Sequence, residues 1–380
     1  MEFLFAGDFY PCTIKAKSMI RNGEYEGIIN GIKPYIKGTD FSIANFESPI
    51  ADPQKQKPYI RRGPRNLASD KSAIKCLKEA GFSMLALANN HMHDYGDDGV
   101  NATIESCKEE HLPYCGAGCN LEEAQQVKYV HCNGKTLGVV NFCENEFSVA
   151  TTSSAGTNPF DLVAIYHQIL EARKEADYVL VFIHGGVEHY QLPTPIMQAK
   201  YRFFIEAGAD IVVNSHQHCF SGYEYYLGKP IVYGLGNLFF DNDTKERSLW
   251  NEGYMVIIKE NDGVYNLELI PYTQGLGDYS ITILKDRVLF DNEIKRINSV
   301  IQNPEKLRLE FEKYVIQNSR ALLAYFEPYS TRVSLKLYRM GLLPSLLSKK
   351  KRVLILNRMR CESHQQVYSK ALSLSLQFPF

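Results

Sequence analysis

Six short polar runs stand out between Gly7 and Asn237: Gly7-Asp8, Asn45-Phe46-Glu47, Asn89-Asn90-His91 with Asp94 and Gly96 after it, His184-Gly185-Gly186 with Glu188 after it, Ser215-His216-Gln217-His218, and Gly236-Asn237. Carboxylate, amide and imidazole are the donors that suit divalent ions such as Mn, Fe or Zn. A pair of such ions needs one carboxylate able to bridge ~3.5–4 Å and separate ligands for each ion. Paired ions acidify water and offset charge on a phosphoryl group during in-line displacement. A His outside the coordination sphere can then protonate the leaving oxygen. His216-x-His218 is the most specific piece, because alternate residues beyond a strand can aim two imidazoles at one point. Taken singly, the runs have plainer readings: Gly-Asp commonly opens a turn, and a His closing an apolar strand is commonly a hydrogen-bonded core-edge residue.

The elements that carry these runs give them weight. Apolar stretches suited to strands cover Glu2–Ala6, Phe41–Asn45, Met84–Ala88, Leu137–Phe142, Tyr178–Ile183, Ile211–Val213 and Ile231–Leu235. Helical patterns lie over Ser69–Ala80, Pro159–Ala176 and Pro195–Ala207, with Gly81 and Gly208 as stops. Strands that are nearly all apolar and alternate with helices predict a layered α/β domain. In open α/β sheets, sites form beyond the carboxyl ends of strands, which is where these polar runs fall. Beyond Gly253 the pattern changes. Asp262-Gly263 predicts a hairpin between Tyr254–Lys259 and Val264–Tyr272. A second hairpin is expected around Asp286, joining Ile281–Leu284 to Val288–Phe290. From Pro304 the chain reads as helix, with Leu307, Phe311, Tyr314 and Val315 on one face.

These motifs, in this order, resemble the CapA-type capsule synthesis (poly-γ-glutamate capsule) family, which is similar to the calcineurin-like metallophosphoesterase superfamily. The resemblance runs from the first residues to about Asp241. It implies a four-layer α-β-β-α sandwich, expected over residues 1–300; the helical pattern and the charge, not the resemblance, make 301–380 a basic helical C-terminal extension. It implies a metal-dependent hydrolase or transferase that uses one or two divalent ions (Mn, Fe or Zn) to activate water against a phosphoester or related bond. Position by position, Asp8 and His218 would serve one ion, Asn90, His184 and His216 the second, and Glu47 would bridge. His91 would be the catalytic non-ligand imidazole and Asp94 its orienting partner. The substrate would be anionic or polymeric: a phosphoester, polyglutamate or a polysaccharide precursor. The alternative is a non-hydrolytic polymer-biosynthesis or export factor, or a binding module with a degenerate site.

This chain departs from the pattern at several places. Tyr10 stands where phosphoesterases have a His in their first motif, which removes an imidazole from the first ion; Tyr10 could ligate or donate a hydrogen bond instead. Glu47 replaces the phosphoesterase Asp, as in CapA-type proteins. Gly185 stands where Trp is frequent and is expected to open the pocket wall, and Ser215 replaces a Gly. Tyr10, Asn45, Glu188, Arg61 and Arg62 are expected toward the substrate, the arginines with Arg65 as clamps for phosphate or carboxylate. Glu188 also suits a carboxylate behind a ligand His. His189 and Tyr190 are candidates to line the cleft, His93 is expected to face solvent, and Asn237 to fix a loop beside the site.

Composition sets the outer limits. Hydrophobic residues are 45% and charged residues 22% of the 380-residue chain, which excludes a disordered, collagen-like or coiled-coil protein. Nine cysteines, an odd number, suit free thiols in a reducing cytoplasm. Neither a secretory signal pattern nor an apolar stretch of the ~18 residues a spanning helix needs is expected. The net charge of −1 argues against nucleic acid, but it hides an uneven distribution: −10 over the first 300 residues and +9 over the rest. Thr331–Arg360 holds nine basic residues and no acidic one, interleaved with leucines. Such a segment either packs its Leu face on the body or lies on an anionic membrane surface, which would make the protein cytoplasmic and peripheral to the inner face of the membrane.

Overall fold

The computed structural model describes residues 1–59, 66–242, 245–329 and 331–360. Arg61, Arg62 and Arg65 lie outside the described residues. The chain forms two compact units, Met1–Arg308 and Leu309–Phe380.

The first unit is built on two sheets. In one, the order is Ile281–Ile283, Val264–Gln274, Glu252–Asn261, Glu2–Phe9, Phe41–Phe46, Met84–Ala86 and Tyr114–Cys115, with Asn237–Phe239 joined to the end of Glu2–Phe9. In the other, it is Tyr223–Tyr226, Lys229–Val232, Ile211–Ser215, Tyr178–His184, Lys135–Cys143 and Lys128–Cys132. The strand Glu2–Phe9 shows why its sequence is apolar from Phe3 to Ala6. Leu4 and Ala6 join a buried cluster with Ile20, Ile28, Ile74 and Leu77 from the helices covering one face. Phe3 and Phe5 point the other way and meet Tyr178 and Phe182 of the second sheet, with ring centroids 5.3 and 5.8 Å apart. Helices Leu162–Glu175 and Pro195–Glu206 pack on the second sheet. The result is an α-β-β-α sandwich of two mixed sheets, whose central parallel strands are buried on both faces.

Local chemistry sets the helix ends. Asp161 accepts from the N–H groups of Val163 and Ala164, and Thr194 from that of Met197; each cap answers donors that the first turn leaves open. Gly81, at φ 105°, ends Ser72–Ala80 in the left-handed conformation. The second expected hairpin does not form. Ile281–Ile283 pairs with Val264–Gln274, whereas Val288 opens the helix Val288–Ile301. There Phe290, Ile294, Ile297 and Ile301 recur at helical spacing and are buried, so the period of 3.6 prevails over a short β-like run. Asn133-Gly134, both at positive φ, turns Lys128–Cys132 into Lys135–Cys143, a hairpin signal the sequence reading passed over. Of the expected strand Ile231–Leu235 only Ile231 and Val232 are in a strand, the end of Lys229–Val232, and a separate strand, Asn237–Phe239, follows in the other sheet.

Strand register brings polar residues together. Asp8 pairs with Asn45 on one side and with Asn237 on the other, and Ser215 pairs with His184. The ladder shifts between Ala6 and Asp8, at Gly7. A Cβ on Gly7 would lie 1.8 Å from the Gly236 carbonyl oxygen, so only glycine lets the two strand ends approach.

In the second unit, helix Arg332–Arg339 is capped by Thr331, and helix Lys349–Arg360 follows after an irregular stretch.

Candidate metal centre

The runs that end the strands converge. Glu47, His184 and His216 place one donor atom each within 4.8 Å of one another, and so do Asp8, Glu47 and His218. Glu47 belongs to both groups. Its Oε1 lies 3.8 Å from His184 Nε2 and 3.7 Å from His218 Nε2. All five residues are buried, Asp8 and Glu47 completely.

Hydrogen bonds to neighbouring groups orient these donors. Asn45 Nδ2 donates to Asp8 Oδ1 at 2.8 Å, and the His216 N–H donates to Asp8 Oδ2 at 3.1 Å. His218 Nδ1 meets Asn237 Oδ1 at 2.8 Å. An amide oxygen can only accept, so His218 carries its proton on Nδ1 and presents an Nε2 lone pair toward Glu47. Asn90 Oδ1 lies 3.2 Å from His184 Nε2 while its Nδ2 donates to Glu146, which settles which end of the amide faces the cluster. Ser215 Oγ is 3.2 Å from His184 Nδ1. His216 and His218 adopt φ of 99° and 55°. Such backbone costs about 1–3 kcal/mol per residue and persists only where surrounding structure imposes it.

The electrostatics fit a cation. Burial, then repulsion from Asp8, Glu188, Asp94 and Glu146, pushes the Glu47 carboxyl well above its ordinary pKa. Neither Glu47 oxygen has a hydrogen-bond partner. A buried carboxylate left so is costly unless a cation lies between it and its neighbours. Burial would raise Asp8 too, but the hydrogen bond and charge of His184, the charge of His218 and the Asn45 amide outweigh it and hold Asp8 below the usual range. Burial pushes His216 well below its ordinary value, helped by His184 and His218. Neutral imidazoles beside carboxylates are what divalent ions bind. This donor set, with an orphaned carboxylate at its centre, fits one or two divalent ions.

Of the other residues expected at the site, His91 and Asp94 do pair, Nδ1 to Oδ2 at 2.7 Å. The Leu67 N–H donates to the same Asp94 oxygen at 2.7 Å, and His91 is near enough to His216 to depress its pKa. Glu188 is exposed at the rim, its charge acting on Glu47 and His218. Asn45, expected toward the substrate, is buried, and its amide donates to Asp8. Tyr10 is buried in a small apolar cluster with Leu67 and Phe240. Its hydroxyl accepts a hydrogen bond from Lys17 Nζ at 2.9 Å. The space above Gly185 is not open, because a Cβ there would lie 2.7 Å from Glu144 Cγ. His93 is buried rather than solvent-facing, with Nε2 2.8 Å from Asp97 Oδ1.

Trp250 was missed by the sequence reading. Its ring lies 4.7 Å from that of His218, 4.8 Å from Phe240 and 5.9 Å from His189. Its Nε1–H donates to the Phe240 carbonyl at 2.8 Å, and its own carbonyl accepts from Asn237 Nδ2. The only available signal was that Trp250 is the chain's sole tryptophan.

Residues 2–242 match the family of the bacterial capsule synthesis protein PGA_cap. The capsule biosynthesis protein CapA of Bacillus anthracis is 32% identical over 244 residues, covering 61% of this chain and 59% of the relative. The PGA biosynthesis protein CapA of Bacillus subtilis is 33% identical over 241 residues, covering 62% of each. A probable polyglutamine synthesis accessory protein of Mycobacterium tuberculosis is 27% identical over 220 residues, covering 53% of this chain and 56% of the relative. The chain thus spans about 60% of the length of the two CapA relatives. Among solved structures, a hypothetical protein from Thermus thermophilus aligns over 72% of this chain and 99% of its own, at 14% identity and TM-score 0.47. A phosphatase from Mycoplasma pneumoniae aligns over 75% of this chain and 91% of its own, at 13% identity and TM-score 0.36. With the family match extending over most of the sandwich and across every run that builds the centre, the chain belongs to the bacterial capsule synthesis protein family.

Proposed function

We propose that the protein is a metal-dependent hydrolase or transferase of capsule polymer metabolism, acting on a phosphoester or related acyl or amide bond. The observation that carries this reading is Glu47: wholly buried, without a hydrogen-bond partner, and common to two donor groups. Asp8 and His218 would hold one ion, His184, His216 and Asn90 the other, and Glu47 both. Bound there, divalent ions supply Lewis acidity: they acidify water and offset negative charge on the group under attack. With Tyr10 bonded to Lys17, the Asp8 side keeps three protein donors, which suits a weaker ion there.

The chain's own groups do the rest. His91, with Nδ1 tied to Asp94, keeps Nε2 for a proton delivered to the leaving oxygen. Asp94, anchored by the Leu67 N–H, fixes that tautomer and stabilises the imidazolium. Asn45 and Asn237 hold Asp8 and His218 in place before any substrate arrives. The relatives' printed names point to capsule and PGA biosynthesis, so the substrate class we assign is an anionic capsular polymer, polyglutamate above all, or its precursor.

Metal analysis of purified protein, before and after loading with Mn, Fe or Zn, tests the centre. Assays on aryl phosphate mono- and diesters and on γ-glutamyl peptides test the chemistry. The expected result is bound metal and metal-dependent cleavage of at least one class, both lost in Glu47→Ala. Protein that takes up no metal and stays inert with every ion would overturn the proposal.

A further inference from the structure

We propose that the segment from Thr331 to Arg360 is a docking face for an anionic membrane surface. Its inner side is already committed. Tyr338 is buried between the ring of Tyr329, 5.7 Å away, and the guanidinium of Arg320, 5.6 Å from the ring centroid. The Leu346 N–H donates to Glu327 at 2.8 Å, and Tyr329 donates to the Pro344 carbonyl at 2.5 Å. The turn between the two helices is therefore pinned within this unit.

What remains exposed in the segment is aliphatic and basic. Val333, Met340, Leu342, Leu346, Val353 and Leu354 are exposed aliphatic side chains. Lys336, Lys349, Lys350 and Lys351 of the same segment are exposed too, and no acidic residue falls anywhere in it. A slot of about 240 Å³ lies between Phe326 and the helix Lys349–Arg360, floored by Leu347, Ile355, Leu356 and Met359. Arg352 stands at its edge, held by bonds to Ser345 Oγ at 2.7 Å and to the Leu347 carbonyl at 3.1 Å.

An apolar slot with a cationic edge and three consecutive lysines matches an acyl-chain boundary below anionic headgroups. Exposed aliphatic groups gain by leaving water, and each basic group gains from the surface potential. Nucleic acid fits less well, because single-strand binding uses aromatic stacking platforms and the neighbours of these lysines are aliphatic. The docking adds to the metal chemistry without depending on it.

Sedimentation of the full-length chain with vesicles tests this. The vesicles are phosphatidylcholine alone or mixed with phosphatidylglycerol, at low and physiological salt. Binding is expected to the mixed vesicles only, weakening with salt. The triple variant Lys349→Gln/Lys350→Gln/Lys351→Gln, all at exposed positions, should bind about a hundred-fold more weakly. Val353→Ser/Leu354→Ser should weaken binding at both salt concentrations. The proposal is overturned if the parent stays in the supernatant, if neutral vesicles bind it equally, if the triple variant binds like the parent, or if single-stranded RNA displaces it from vesicles at trace concentration.

Discussion

His91 Nδ1 lies 2.7 Å from Asp94 Oδ2, while Asp94 is simultaneously fixed by the Leu67 N–H. Neither residue belongs to the two buried donor groups. A role in proton delivery therefore separates cleanly from a role in ion binding. His91→Ala is expected to keep the metal content of the parent and to lower turnover by about 10²–10⁴-fold, the usual weight of general acid–base catalysis. Asp94→Asn should lower turnover less and move the pH profile, because it changes the partner of Nδ1–H. Metal analysis with a pH–rate profile checks both, and loss of metal in His91→Ala would count against the assignment.

The raised pKa of Glu47 makes ion binding depend on pH. An ordinary carboxyl loses its proton near 4.5, whereas Glu47 keeps its proton well above that. An ion must displace that proton, so affinity rises with pH, by about tenfold per unit while Glu47 remains protonated. His216, depressed well below 6.5, is already neutral over the same range and adds little slope. The stability consequence has the opposite sign. The unfolded chain releases the Glu47 proton first, so metal-free protein loses stability as pH rises from about 4.5 toward the raised folded value. Glu47→Gln should abolish ion uptake and flatten that loss. Calorimetric titration with Mn or Zn at two pH values, and thermal unfolding of the metal-free protein, read the two effects.

Much of the centre was legible because its residues follow apolar strand-like runs, and parallel sheets deliver strand ends to one edge. Asp8, Glu47, His184, His216 and His218 could be placed by that rule alone. The rule says nothing about which way an amide turns. That the Asn45 amide donates to Asp8 is therefore seen only in the structure. Residues brought in by loops left no local trace. Trp250 reaches the centre only because a distant segment packs there. The positive φ of His216 and His218 was equally silent, since no glycine marks it. The failed hairpin at Val288 has a different cause: a few apolar residues fit either period until the helix extending to Ile301 is counted.

Gly7 sets how closely the end of the first strand approaches the loop at Gly236. A methyl group there would lie 1.8 Å from a backbone carbonyl oxygen, which cannot rotate away as a flexible side chain could. Gly7→Ala should therefore destabilise the fold by at least about 1–3 kcal/mol, the ordinary cost of overpacking. It should also shift Asp8, the next residue, against Asn45 and Asn237. The expected outcome is a lower unfolding midpoint in denaturant together with weaker ion affinity. Gly134→Ala, at a turn with no atom within 4 Å of the added carbon, is the control; strain from its positive φ is expected, but no change in ion affinity. Unchanged ion affinity in Gly7→Ala would separate the strand contact from the centre.

Trp250 offers a direct optical reading of the Asp8 side. It is the only tryptophan in the chain, and its ring is 4.7 Å from that of His218 at an interplanar angle of 40°. A divalent ion held by His218 would place positive charge within a few ångströms of the indole and alter its emission. Titration of metal-free protein with Mn or Zn should therefore change tryptophan fluorescence saturably. The midpoint should follow the weaker ion, because the side lacking an imidazole at Tyr10 is the side Trp250 faces. His218→Ala should abolish the response while leaving uptake at His184 and His216 measurable by metal analysis. Trp250→Phe should retain both ions and lose only the signal. If emission stays constant while metal analysis shows both positions filling, His218 does not hold an ion, and the Asp8 side of the centre must be reassigned.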